Sequence, residues 1–215
     1  EGAQFFLAFL AAHLFVGLHG VEVIGAGEFL AAEHLGEVFV EREAGVFEKR
    51  EVTLAVQTLA FVGLPGPAWT RDATDLLRRS EGLQRLEWRD ERLNVLAAVD
   101  SPYPPRLFSL MPRAELALEA ELACRETQRS GAPAFSRSYF VPLTGGLGVE
   151  AVDLCVPVTQ AGRDTAYLVA TLSLPRMLEA AVGSSSSKRH EFSVIESDGT
   201  RLARVGAARG GGVFV

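Results

Sequence analysis

One stretch of this 215-residue chain carries polar groups where a strand is ordinarily apolar: Ser136, Arg137, Ser138 and Tyr139 stand between Phe135 and Phe140. Side chains alternate along an extended segment, so Arg137 and Tyr139 share a face. A guanidinium and a phenol placed there orient a carboxylate through charge-assisted hydrogen bonds, with the Ser136 and Ser138 hydroxyls beside them. Asp153 lies in the next apolar run, on the face opposite Val152, Leu154 and Val156, and can meet the same cavity. It can accept a ligand ammonium there or neutralise Arg137, so a ligand site, an internal Arg137 to Asp153 ion pair and a solvated outer face all remain open. Trp88, Tyr103 and Tyr167 offer large apolar bodies with polar tips and can wall a small-molecule pocket. Trp88 reads first as a core residue, and Tyr103, beside a Pro-rich loop, suits solvent equally well.

Other chemistries find no pattern. His13, His19, His34 and His190 are scattered without an H-E-x-x-H pair, and neither cysteine supplies a second ligand nearby. No metal and no cofactor is expected. The serines include no G-x-S-x-G elbow, and Gly145-Gly146-Leu147-Gly148 lacks the lysine and following helix of a phosphate loop. An enzyme is therefore the third choice, behind a ligand-binding and a structural domain.

The composition is that of a core-forming globular chain, 48% hydrophobic and 22% charged. A formal charge of −6 argues against a nucleic-acid partner, which needs a cationic surface to displace counterions. Cys124 and Cys155 exclude a disulfide-dense scaffold. Either cysteine fills core volume well, and a single bridge between them stays open.

These residues need elements to position them. The chain opens at Glu1 with neither Met nor a basic leader, which reads as an excised fragment. Its apolar run from Phe5 to Leu18 is short of the roughly 20 residues that cross a bilayer. Residues 1–27 are read as a membrane-adjacent apolar segment, helical or the trailing part of an anchor. From Glu28 to Val62 an apolar series among charged residues predicts a long helix, ended by Gly63-Leu64-Pro65-Gly66-Pro67. A short helix from Ala73 to Arg79 follows, capped by Thr70 or Asp72. Gln84 to Arg89 and Leu93 to Val99 read as a strand pair, and Asp100 to Pro105 as an irregular loop suited to a lid. Pro112 to Ser130 reads as an amphipathic helix with Leu116, Leu118, Leu122 and Ala123 as its apolar stripe. Ala134 to Leu143, Val149 to Gln160 and Arg163 to Leu174 make an antiparallel meander, with Pro157 leaving the ladder or lying at an edge. Pro175 starts a short helix, Ser184 to Ser187 reads as a linker, and His190 to Glu196 with Thr200 to Val205 form a further hairpin around Ser197-Asp198-Gly199.

That order resembles the PAS-like extracytoplasmic sensor fold called Cache or PDC. Leu86-Glu87-Trp88-Arg89-Asp90, Ser138 to Pro142, Leu154 to Val158, Tyr167 to Leu174 and Ser197 to Arg204 are similar to the periplasmic input regions of proteobacterial sensor histidine kinases. The resemblance covers about Asp72 to Arg204. It implies an α+β fold: a PAS-like antiparallel sheet with a long N-terminal helix over residues 28–183, then the start of a second, truncated PAS-like unit over 188–215. It further implies the periplasmic part of an inner-membrane protein, membrane-tethered and homodimeric. Such a domain binds a small-molecule ligand, a carboxylate or an amino acid, and signals through the long helix to a cytoplasmic kinase. The expected ligand-binding residues are Arg137, Tyr139, Asp153, Ser136, Ser138, Tyr103 and Tyr167, with no catalytic residue in this portion. The competing reading is a ligand-free structural or dimerisation domain of a membrane receptor.

Overall fold

The computed structural model describes residues 20–24, 52–59, 65–160, 163–187, 191–195 and 200–206. The predicted helix from Glu28 to Val62 is helical over residues 52–59, here α1. Its remainder lies outside the described residues, as do the Phe5 to Leu18 run and the tail after residue 206.

The main sheet is antiparallel and has the order β3-β2-β7-β6-β4, with β5 also pairing with β6. Its strands are β2 (Leu83–Asp90), β3 (Val95–Asp100), β4 (Ala134–Phe135), β5 (Tyr139–Pro142), β6 (Gly148–Gln160) and β7 (Arg163–Ser173). The first hairpin flanks the centre and the meander closes on it, the PAS-like α+β arrangement that the resemblance implies. A smaller sheet, β1-β8-β9, joins β1 (Gly20–Ile24) to β8 (Glu191–Ile195) and β9 (Arg201–Val205). Residues 20–24, inside the segment read as membrane-adjacent, are thus a strand paired antiparallel with β8.

The back of the main sheet is hydrocarbon. Leu86, Trp88, Val152, Leu154, Val156, Leu168, Ala170 and Leu172 project there at period two, and helices cover them. α1 contributes Val56 and Leu59. α2 (Pro67–Arg79) contributes Trp69, Ala73, Leu76 and Leu77, one stripe at helical spacing. The Trp69 and Trp88 rings meet edge to face with centroids 6.0 Å apart, a favoured geometry for aromatic quadrupoles. α2 starts at Pro67, six residues before the expected Ala73. Pro67 occupies the first turn, where its missing N–H costs nothing and its fixed φ favours entry, so the residue read as a breaker is the initiator.

α4 (Leu174–Ser187) adds Leu174, Met177 and Leu178 to the same core, which extends to Phe192, Val194 and Ala203 of the small sheet. The serine run read as a linker therefore lies within this helix. Serine is only a moderate helix former, and packing of the preceding apolar residues outweighs its propensity.

The front of the sheet is covered at one end by α3 (Ala117–Ser130), preceded by a 3-10 turn at Arg113–Leu116. Its buried face is Ala120, Ala123, Cys124 and Thr127; of the expected stripe Ala123 lies on it and Leu116 packs half-buried beside Leu107, whereas Leu118 and Leu122 do not. Leu118 and Leu122 are 63% and 48% exposed. Small residues let the helix lie close to the strands, and a Cys124–Cys155 disulfide fastens it to β6 at a Cα–Cα distance of 5.2 Å. Leucines on that face would hold the helix too far off for the bond.

The predicted strand from Ala134 to Leu143 is interrupted between β4 and β5. Phe135 pairs with Leu154, and the Ser136 N–H reaches the Asp153 carbonyl at 2.8 Å, yet Tyr139 pairs with Ala151. Arg137 and Ser138 together thus oppose Val152, the arrangement of a bulge. Pro157 stays paired with Tyr167, on a length of β6 that β4 no longer flanks, so its missing N–H falls on an edge.

Candidate functional site

The uncapped end of the front face is polar and is built in rows. Arg85 pairs with Thr171 and Thr171 with Asp153, while Glu87 and Arg89 follow Arg85 at two-residue spacing. All five lie opposite the Leu86 and Trp88 face. Glu87 and Asp153 are fully buried, with 0% side-chain exposure. Anions so placed need charged partners and hydrogen bonds.

Arg113 supplies them from the 3-10 turn. Its Nη2 donates to Asp153 Oδ2 at 2.8 Å and its Nε to Glu87 Oε1 at 3.3 Å. Its Nη1 donates to the Leu116 carbonyl at 2.9 Å and to the Tyr139 hydroxyl at 3.1 Å. Arg89 donates through Nε and Nη2 to Glu87 Oε2 at 2.9 and 2.6 Å. Arg85 donates through Nε to Glu87 Oε1 at 2.7 Å and through Nη1 to Asp100 Oδ1 at 2.6 Å. The Thr171 hydroxyl donates to Asp153 Oδ1 at 2.7 Å, and the Asp153 N–H donates to Ser136 Oγ at 2.8 Å.

The irregular segment after β3 closes the front. Leu107 is buried against Val141 and Ala151, which anchors the loop and sets the Phe108 ring over two guanidiniums. The ring centroid lies 5.2 Å from the Arg113 guanidinium carbon and 5.7 Å from that of Arg85, within cation–π range.

The two buried carboxyls respond differently. Burial pushes both up. For Glu87, the Arg89 and Arg113 charges and the hydrogen bonds from Arg85 and Arg89 reverse this and hold it below its ordinary 4.5. For Asp153 burial prevails over Arg113, Thr171 and Tyr139, so its carboxyl sits above its ordinary value. Burial, then the Asp153 charge, drives the Tyr139 phenol far up, which keeps it a neutral donor. Glu87 is therefore the fixed anion of the site and Asp153 the one more readily protonated. The cluster offers a guanidinium fork, a carboxyl and two hydroxyls, which suits binding of charged groups.

No family model matches the chain, and no curated protein matches it. Among solved structures it is similar to an extracellular ligand binding receptor from Desulfohalobium retbaense, at 14% identity and a TM-score of 0.46, over 71% of this chain and 27% of that one. It is similar to the ligand-binding domain of the Pseudomonas aeruginosa amino acid chemoreceptor PctC in complex with GABA, at 15% identity and a TM-score of 0.47, over 79% and 73%. It is also similar to a domain of a sensory box/GGDEF family protein from Vibrio parahaemolyticus, at 12% identity and a TM-score of 0.48, over 80% and 70%. The chain thus spans about a quarter of the first of these. At such identities the ligand of each remains a property of that protein.

The structure brings Asp153, Tyr139 and Ser136 together and disperses the other candidates. Arg137 is exposed, and the guanidinium on Asp153 is that of Arg113. The bulge is the reason: it leaves Arg137 in an unpaired segment and returns Tyr139 to the face of Ala151 and Asp153, so the two no longer alternate in step. Ser138 is half-buried in the same bulge. Tyr103 is exposed and donates to the Arg78 carbonyl of α2 at 3.1 Å, away from the cluster. Tyr167 is buried beside the disulfide with Ala120, Ala123 and Val169.

Sequence reading missed Arg113, Glu87, Thr171, Arg85, Arg89 and Phe108. A signal was present in β2, where Arg85, Glu87 and Arg89 alternate in sign on one face. The alternation serves there only to define a strand, although Thr171 and Asp153 sit in apolar strands with the same parity.

Proposed function

We propose that this chain is the extracytoplasmic, ligand-sensing input domain of a membrane-bound signal-transduction protein, a histidine kinase, working as a homodimer. The observation that carries the reading is the buried Arg113–Asp153 pair, ringed by Thr171 and Tyr139 hydroxyls, under an irregular loop. A small zwitterion such as an amino acid matches it group for group: its carboxylate takes the Arg113 fork and its ammonium takes Asp153, so one buried ion pair is exchanged for two. A neutral guest would separate the charges without replacing their partners. The Cys124–Cys155 bridge supports an oxidising compartment such as the periplasm. Binding at the front shifts the balance between two settings of the helices packed on the back, and α1 carries the change toward the membrane.

The test is a thermal-shift and calorimetric screen with amino acids, organic acids and amines. At least one zwitterion is expected to bind, and Arg113→Lys, which keeps the charge and loses the fork, to weaken it about tenfold or more. Asp153→Asn is expected to weaken amine-bearing ligands selectively. A screen without binders, or full affinity in Arg113→Lys, overturns the assignment. One observation favours the alternative of a ligand-free structural or dimerisation domain: Glu87 and Asp153 already have their charged partners within the chain. A dimer whose sedimentation ignores every compound of the screen would establish it.

A further inference from the structure

The charged cluster does not balance within its buried part. Arg85, Arg89 and Arg113 bring three cations, and Glu87 and Asp153 only two anions. The remaining charge is met by Asp100, whose side chain is 54% exposed while that of Arg85 is 17% exposed. Arg85 and Arg113 share Glu87 Oε1 and the Phe108 ring, so the excess lies at the solvent side of the same site. Among the described residues, the hydrogen bonds of Arg85 run through Nε and Nη1, and none runs through Nη2.

From this arrangement we propose that Asp100 is an internal stand-in for a ligand carboxylate on Arg85, and that an incoming carboxylate displaces it. An ion pair with one partner mostly in water is weak and exchangeable, whereas the Arg85–Glu87 bond beneath it is buried and stays. A guest carboxylate lying across Arg85 can use Nη1 and the unused Nη2 together, the two-point contact that a side chain fixed at the end of β3 does not make. Asp100 is also the last residue of β3, and the Ser101 N–H donates to the Gln84 carbonyl at 2.8 Å before the chain enters the irregular loop. That backbone bond does not involve the Asp100 carboxylate, so the side chain can leave Arg85 while the loop that carries Leu107 and Phe108 stays attached. The inference rests on the proposed ligand site and adds a second anion position to it, so compounds with two acidic groups are the class it favours.

The experiment titrates acetate, then succinate, into nitrogen-15-labelled protein and follows the arginine Nε–H resonances. In wild type the Arg85 resonance is expected to shift at the lower end of saturation. Asp100→Asn should tighten acetate at Arg85 about two- to fivefold, the weight of one exposed ion pair. Glu91→Gln, which removes the same charge from the exposed turn at the other end of the hairpin, should not. Equal affinities in wild type and Asp100→Asn, an equal effect of Glu91→Gln, or shifts confined to Arg113 each overturn the stand-in. The two proposals fail separately: acetate on Arg113 alone leaves the sensor reading and removes this one, and acetate on Arg85 with no zwitterion bound in the screen does the reverse.

Discussion

Glu87 is the side chain on which the front face depends, because three guanidiniums converge on its two oxygens. Glu87→Gln keeps the shape and removes the charge, leaving Arg89 and Arg113 buried without their common anion. Breaking a buried pair in this way costs about 3–5 kcal/mol, to be read from urea unfolding at pH 7. The pH dependence has a definite sign. The folded-state carboxyl lies below 4.5, so its stabilisation is present above that value and is lost as the pH falls below it toward the folded value. Wild type and Glu87→Gln should therefore differ most near neutrality and converge in acid; a constant difference down to pH 3 would contradict the role given to Glu87. At this scale residue types announced a polar site and identified Asp153, Tyr139 and Ser136. They could not identify Arg113, which arrives from a turn between elements and has no periodic pattern to expose it.

Elements were legible where periodicity and punctuation agree. The β2–β3 hairpin, the meander and the β8–β9 hairpin follow from alternation between turn residues, and their pairing builds the face on which the cluster sits. Faces were harder to read. The helix α3 buries its alanines because the disulfide draws it against β6, a tertiary constraint that outweighs the leucine stripe in the sequence. The bulge between β4 and β5 left no signal in composition, yet it decides which residues enter the site. Deleting Arg137 tests it directly. Because Arg137 and Ser138 together oppose Val152, losing one removes the extra residue and keeps Ser136 opposite Asp153 and Tyr139 opposite Ala151. The deletion variant should fold within about 1 kcal/mol of wild type and bind any ligand from the screen with affinity within about threefold. Loss of binding in a folded deletion variant would return Arg137 to the site.

At the scale of the whole molecule, the disulfide is a covalent cross-link between the cover of the front face and the sheet. Cys124 and Cys155 are 31 residues apart in sequence, and the loop they close contains the end of α3, the bulge, Tyr139 and Asp153, but not Arg113 or Glu87. Ser136, Tyr139 and Asp153 are thus held inside a covalent ring, and the other polar groups of the site approach from outside it. Closing a loop of this length lowers the entropy of the unfolded chain by an amount worth about 3.5–4 kcal/mol. For a chain of this size that corresponds to roughly 10 °C in melting temperature. Reduction, or replacement of both cysteines by alanine, is expected to lower the calorimetric midpoint by that amount. α3 is also held to the sheet by a small-residue face that buries little hydrocarbon, so freeing it should loosen the ring side of the site. Ligand affinity should then fall together with stability, whereas Leu118→Gln and Leu122→Gln, on the outer face of the same helix, should change neither. A midpoint that moves by less than about 1 °C on complete reduction would show that the bridge does not hold the front face closed.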